Sequence, residues 1–331
     1  MNRTAARPTS RTPRTVVATA LAGLLLAGCS TDAAEDTATA EGGAVQTHTD
    51  ASGTELELPG EVTRIACLTA ICGDALAELD LQPVAYRDRL VVDDRFWGPD
   101  TDMVEITGAF GEEDLEDVAS AEPDLVVGLL GAHDGLRAGL EPIAPLLLVD
   151  PQSWQDSVEV LELMGELTGR QDRASAAAEA FTATLEEARE EADRRADAAG
   201  GPASSMAVYG SPDGLSVDSD ATPVGSVLAE LGEYPWSGDV AGGHSPAVPV
   251  SVEEVLAVDP DVVFAQTLSF GAVEATPLSQ ELAADPVWAS LGAVRDGRVT
   301  EVDATLWGTG RGTRTLTLVL EEALDLLYPV G

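Results

Sequence analysis

Leu115-Glu116-Asp117-Val118-Ala119-Ser120-Ala121-Glu122-Pro123-Asp124-Leu125-Val126 is echoed 137 residues later by Val252-Glu253-Glu254-Val255-Leu256-Ala257-Val258-Asp259-Pro260-Asp261-Val262-Val263. In each copy an acidic helix is stopped by Pro-Asp and followed by an apolar strand. A second echo, in the same order, pairs Leu76-Ala77-Glu78-Leu79 with Leu228-Ala229-Glu230-Leu231. Two echoes in the same order imply that the C-terminal half repeats the architecture of the N-terminal half.

Working outward, Val45 to His48 and Glu55 to Leu58 flank a turn at Asp50-Ala51-Ser52-Gly53 and predict a hairpin. Strands are expected at Arg64–Leu68, Pro83–Tyr86, Leu125–Leu129 and Leu146–Val149, with helices at Gly73–Leu79 and Asp114–Ala121. This alternation predicts an α/β protein with parallel sheets covered on both faces. Between the repeats, Ala174, Ala178, Phe181, Leu185, Ala188 and Ala192 keep helical spacing from Gln171 to Ala199, until Gly200-Gly201-Pro202 stops the run. At 1.5 Å per residue that helix is ~40 Å long. The expected fold class is two Rossmann-like lobes with parallel sheets joined by one long interlobe α-helix.

The start of the chain speaks to location. Arg3, Arg7, Arg11 and Arg14 precede an apolar run, Val16 to Ala27, too short to span a bilayer. The run ends in Leu26-Ala27-Gly28-Cys29, which resembles the bacterial lipobox. The resemblance implies cleavage before Cys29 and lipidation of that residue, hence a cell-membrane anchor on the extracytoplasmic face. The expected organisation is a signal peptide over 1–28, a lipidated flexible tether over 29–44, and an N-terminal lobe over 45–152. An interlobe helical segment over 153–200 and a C-terminal lobe over 201–331 follow.

All 18 basic residues are Arg, and the formal charge is −40, or −44 once the four leader arginines are removed. Such a chain is a poor partner for nucleic acid. Besides Cys29 there are two cysteines, Cys67 and Cys72. In an oxidising compartment an even pair suggests a disulfide, with reduced thiols and a metal site as alternatives. Only three histidines occur, His48, His133 and His244, and none has a metal-binding spacing.

Taken together, these parts resemble the class III substrate-binding proteins, receptors for ferric siderophores, haem and cobalamin whose lobes are joined by a single long helix. The pieces that carry the resemblance are Thr63-Arg64-Ile65-Ala66 leading to Asp80-Leu81-Gln82-Pro83-Val84, and the two Glu-bearing helices before Pro-Asp. Met164-Gly165-Glu166-Leu167-Thr168-Gly169, which opens the interlobe helix, and Trp307 complete the set. The resemblance implies a monomeric lipoprotein that delivers a small-molecule iron chelate to an ABC permease dimer and needs no cofactor. It further implies that Glu116 and Glu253 dock to arginines of that permease dimer.

The expected cleft lies at the carboxyl ends of the strands. Arg87, Arg89, Trp97, Phe110, Tyr209, Trp236, Trp307 and Arg311 are its expected ligand contacts, with Arg314 beside them. Family relatives place an arginine or a tryptophan near the position of Phe110, so stacking replaces ion pairing there. Guanidiniums beside aromatic planes suit an anionic, partly aromatic chelate. Haem or cobalamin is the alternative ligand within this fold, with Tyr209 or His133 as an axial ligand for haem. A zinc or manganese receptor would want a histidine cluster. No G-x-G-x-x-G after the first strand, P-loop or G-x-S-x-G marks the chain as an enzyme.

Overall fold

The structure is a computed structural model that describes residues 45–240, 243–244, 246–267 and 275–329. The signal peptide, Cys29 and the tether therefore lie outside the described residues.

The first lobe opens with the antiparallel hairpin of β1 (Val45–Thr49) and β2 (Glu55–Pro59). Leu56 and Leu58 alternate inward from it onto the core, as period-two patterning requires. The lobe continues through β3 (Ile65–Cys67), α1 (Ala70–Glu78), β4 (Ala85–Tyr86) and β5 (Val104–Glu105). A tight hairpin of β6 (Gly108–Ala109) and β7 (Glu112–Glu113) leads to α2 (Leu115–Ser120), β8 (Leu125–Leu129), α3 (Arg137–Leu140) and β9 (Leu146–Val149). The sheet order is β5-β4-β3-β8-β9, parallel throughout.

Next come α4 (Trp154–Leu167) and α5 (Gln171–Ala199). The second lobe comprises β10 (Ser205–Ser211), β11 (Gly214–Asp218), α6 (Pro223–Leu231), β12 (Asp239–Val240), β13 (Gly243–His244) and β14 (Ala247–Val250). It is completed by α7 (Val252–Val258), β15 (Val262–Gln266), α8 (Leu278–Leu282), α9 (Gly292–Arg295), β16 (Val299–Val302) and α10 (Thr313–Leu327). Its sheet order is β14-β11-β10-β15-β16. Here the sequence expectation needs amendment, because this sheet is mixed. β10, β15 and β16 are parallel, but β11 runs antiparallel to β10 and β14. The cause is local: Gly210, at φ +113°, lets the chain double back where any Cβ would collide with the Gly214 carbonyl.

The repeat has a physical meaning. Glu122 (φ +47°) and Asp259 (φ +50°) take left-handed backbone ahead of Pro123 and Pro260, where the right-handed helical region is disfavoured. The next aspartate then pins the start of the central strand. Asp124 accepts from Thr63 N at 3.0 Å and Arg64 N at 3.0 Å, just before β3. Asp261 accepts from Ser204 N at 2.8 Å, just before β10.

The two lobes share α5. Ala174 and Ala178 pack into the first lobe's core, whereas Phe181, Leu185, Ala188, Ala192 and Ala196 pack into the second. One apolar stripe thus serves two cores, and the left-handed Gly200 (φ +100°) ends the helix.

Candidate functional site

The candidate site is assembled from the chain leaving β4 and β8 and the β6–β7 hairpin on the first lobe, and from β10, β11 and the segment before α10 on the second. On the first lobe, the chain leaving β4 supplies Arg87 and Asp88, the β6–β7 turn supplies Phe110, β7 supplies Glu113, and the chain leaving β8 supplies His133. His133 is fully buried, and its Nδ1 accepts the Leu129 N–H at 2.8 Å. Nε2 lies 3.4 Å from Glu113 Oε1, which also accepts Gly111 N–H at 2.9 Å and stands 3.7 Å from Arg87 Nε. Burial pushes the Glu113 carboxyl up, but His133 and the Gly111 N–H outweigh it and hold the group below the usual carboxylate range. Phe110 is 58% exposed, with its ring edge-on to His133 at 5.0 Å. A phenylalanine left so bare on a tight turn is a ready stacking surface.

On the second lobe, Tyr209 lies two residues before the end of β10, Asp218 ends β11, and Arg311 sits between the Thr305–Thr309 turn and α10. Gln266 Nε2 donates to Asp218 Oδ2 at 2.9 Å, and Tyr234 donates its hydroxyl to the Asp218 carbonyl at 2.7 Å. Burial raises the Asp218 carboxyl to about 6 against the opposing effects of Gln266 and Arg311. Burial, and then the charge of Asp218, push the Tyr209 phenol up to about 12. Asp88 is likewise raised by burial and restrained by the Leu90 N–H, Thr309, Arg87 and Arg311. The Arg311 guanidinium therefore acts on Asp88 of one lobe and on Asp218 and Tyr209 of the other. Thr309 Oγ1 donates to Asp88 Oδ1 at 3.3 Å, and Arg95 donates to Asp303 at 2.8 Å, so both contacts bridge the lobes.

Several expected contacts lie elsewhere. Trp307 is 1% exposed, stacks on Phe264 at 4.7 Å and donates its indole N–H to Glu322 at 2.8 Å. Trp236 is buried, with its N–H on the Ser205 carbonyl at 2.9 Å. Each indole finds an internal acceptor, which lets the ring join the core instead of lining the cleft. Trp97 is half-buried against the first lobe's core. Arg314 binds Glu78 at 2.8 Å and lies over Phe96, so it fastens the lobes together. Arg89 is exposed beside Tyr86. His48 sits on the peripheral hairpin, and the His244 side chain lies outside the described residues.

Arg87 stands by Glu113, which links it to His133 and Phe110. The charge of Arg311 acts on Tyr209, Asp218 and Asp88. The three acids in this set were not singled out by the sequence reading. A usable signal existed for Asp218. Leu215 and Val217 point inward from β11, so the alternation turns Asp218 to the other face at the strand's last position. Glu113 and Asp88 carry no comparable mark. Cys67 and Cys72 are fully buried and joined by a disulfide, with Cα atoms 5.4 Å apart, across the β3–α1 turn. Among the described residues, no group of three or more His, Cys, Asp or Glu side chains could hold a metal ion. No helix among them is long and apolar enough to cross a membrane.

Residues 78–306 match the family described as Periplasmic binding protein. The chain belongs to that family. As a periplasmic binding protein it is 25% identical over 275 residues to the Fe(3+) dicitrate-binding periplasmic protein FecB of Escherichia coli, covering 80% of this chain and 85% of that one. It is 21% identical over 276 residues to the Fe(3+)-citrate-binding protein YfmC of Bacillus subtilis, covering 81% and 82% respectively. The crystal structure of Staphylococcus aureus SirA complexed with staphyloferrin B shares the fold, with a TM-score of 0.69 at 19% identity over 85% of this chain and 98% of that one. The two-lobed α/β architecture of this periplasmic binding protein is thus common to receptors of diverse sequence.

Proposed function

We propose that this protein is an extracytoplasmic lipoprotein, anchored through Cys29, that binds a ferric chelate and delivers it to an ABC importer. The chelate is anionic and of the ferric citrate or carboxylate-siderophore class. The observation that carries this reading is that the Arg311 charge acts on Tyr209 of its own lobe and on Asp88 of the other, where Arg87 also acts on Asp88 and the ring of Phe110 is left bare. Iron that arrives already wrapped in its chelator asks the protein for guanidiniums, hydroxyls and aromatic faces, not metal ligands. The ferric citrate proteins among the relatives support the same class.

Glu116 and Glu253 hold matching positions on α2 and α7. Both are exposed, and neither carboxylate makes a hydrogen bond or ion pair among the described residues. Their neighbours are occupied. Asp117 accepts from Thr107 N at 2.9 Å, and Glu254 accepts from Ser251 N at 2.7 Å in a capping box. Two free carboxylates, one per lobe, suit two arginine pockets on a permease dimer.

Calorimetric titration of the apoprotein with ferric citrate, a ferric trihydroxamate, a ferric triscatecholate, haemin and cobalamin tests the reading. Ferric citrate or another polycarboxylate chelate is expected to bind tightest. Binding of haemin or cobalamin alone would overturn it.

A further inference from the structure

Three buried polar atoms of the first lobe lack a hydrogen-bond partner and belong to one cluster: Arg87 Nε, Glu113 Oε2 and His133 Nε2. The cluster meets at Glu113 Oε1, which lies 3.4 Å from His133 Nε2 and 3.7 Å from Arg87 Nε and accepts the Gly111 N–H at 2.9 Å. Two glycines make room for it. A Cβ on Gly128 would come within 3.0 Å of His133 Cβ, and one on Gly111 (φ +81°) would meet the Ala132 carbonyl at 2.8 Å. The Glu113 and His133 side chains have no exposure, whereas that of Arg87 is 29% exposed although its Nε is buried. The Arg87 guanidinium makes no hydrogen bond to the described residues. Stability does not account for this arrangement, because buried polar atoms left unpaired cost free energy that hydrogen-bonded or apolar packing would avoid.

We propose that Glu113 is a positioning residue for the chelate: it holds Arg87 from the buried side, at Nε, and leaves the rest of that cation to the ligand. This inference rests on the anionic-chelate reading above, with Arg87 as a ligand contact of the first lobe. A free arginine side chain populates many rotamers that binding must order, and one ordered beforehand loses less. Glu113 does that ordering without using the cation up. At 3.7 Å the pair is beyond hydrogen-bond reach, so no directed bond has to break when a ligand carboxylate arrives. The attraction persists, because the carboxylate is wholly buried and water screens it little. Burial works against that charge, yet His133 and the Gly111 N–H outweigh it. His133 also meets the Phe110 ring edge-on at 5.0 Å, so the same buried pair steadies that ring.

The test uses the full mature chain, with ferric citrate as the probe. In the ligand-free protein the Arg87 Nε–H should give an NMR signal that exchanges slowly with water, identified by its loss in Arg87→Gln. By calorimetry, Arg87→Gln should weaken ferric citrate roughly tenfold through loss of a charge-assisted contact. Glu113→Gln keeps an acceptor for the Gly111 N–H but no longer attracts the guanidinium. It should weaken ferric citrate almost as much and make the Arg87 signal exchange faster. The double variant should bind no worse than Arg87→Gln alone, because the two residues act as one. Circular dichroism and thermal melts verify each fold. If Glu113→Gln does not fold, Glu113→Asp, which keeps the charge and shortens its reach, should give an intermediate loss. A purely structural Glu113 would make the two losses add, and a carboxylate that only repels the ligand would make Glu113→Gln bind tighter. Either result, or a rapidly exchanging Arg87 signal in the parent, overturns this inference alone. Absence of binding by ferric citrate and every other anionic chelate overturns the receptor reading with it.

Discussion

Asp74 of the first lobe caps a helix of the second: its Oδ2 accepts the Thr315 N–H at 2.8 Å and also the Thr315 hydroxyl, while its Oδ1 accepts the Arg314 N–H at 3.1 Å. The N-cap position of α10 is Gly312, which has no side chain to do this, and a Cβ there would run into the Asp74 carboxylate. The cap is therefore supplied from across the interface. Asp74→Ala should lower stability by about 1–2 kcal/mol through loss of the cap, and Gly312→Ala by about 1–3 kcal/mol through overpacking. Chemical denaturation of both variants checks this, and unchanged midpoints would count against the assignment.

The same carboxyl gives stability a pH dependence. Burial raises Asp74 to about 6 from an ordinary 3.8, against hydrogen bonds from Thr315 and Arg314. Asp218 also lies at about 6, and Asp88 is raised as well. Between the unfolded and folded values, the folded state holds more protons than the unfolded state. These groups therefore contribute stability in full below about pH 4, and it is lost as pH rises through about 6. The ligand-free protein should melt at a higher temperature at pH 5 than at pH 7.5. An Asp74→Asn, Asp218→Asn double variant should show a smaller difference. A higher melting temperature at pH 7.5 in the parent would contradict this account.

Arg311 and Trp307 should separate affinity from stability. Arg311→Gln removes a charge-assisted contact worth about 1.5–3 kcal/mol, so ferric citrate affinity should fall roughly 10- to 100-fold while the melting temperature barely moves. Trp307→Phe strands Glu322 and disturbs the stack on Phe264. It should cost about 1–3 kcal/mol of stability and leave affinity unchanged. Calorimetry paired with thermal melts on both variants distinguishes the two roles.

The exposed carboxylates on α2 and α7 lead to a cellular prediction. Glu116→Ala with Glu253→Ala should abolish iron uptake by whole cells without altering chelate affinity, whereas Asp117→Ala should cost stability, because Asp117 holds Thr107. Normal uptake by the double variant would reject the docking role.

How much of this could be read from the sequence depends on the range of each interaction. α5 was legible from Gln171 to Ala199 because Ala174 through Ala192 keep one period along one helix. The repeat was legible because Pro-Asp stops a helix and opens an apolar strand within a few residues in both halves, although the strands that Asp124 and Asp261 pin lie 57 to 61 residues away. The fate of Trp236 and Trp307 was not, since their N–H partners, Ser205 and Glu322, are remote in sequence or belong to another element. The Asp74 cap was hidden for the same reason. Its partners stand 240 and 241 positions away, and only the packed lobes bring them within reach. The antiparallel turn of β11 escaped because a repeat predicts sameness, and the second lobe departs from the first there.

The division of α5 between the two cores also sets the order in which the protein can assemble. If the chain emerges on the far side of a membrane amino end first, the first lobe has every residue of its own core once Ala178 is through. The stretch from Phe181 to Ala196 then hangs from a finished body as a preformed apolar ridge. The second core can close only when α10, the last helix, arrives to lie against that ridge. Until then Ala70 and Leu90 of the first lobe, which belong to the later core, stay uncovered. The newly exported chain thus carries its own folding template, and the final turns of the polypeptide complete both the second lobe and the seam between the two.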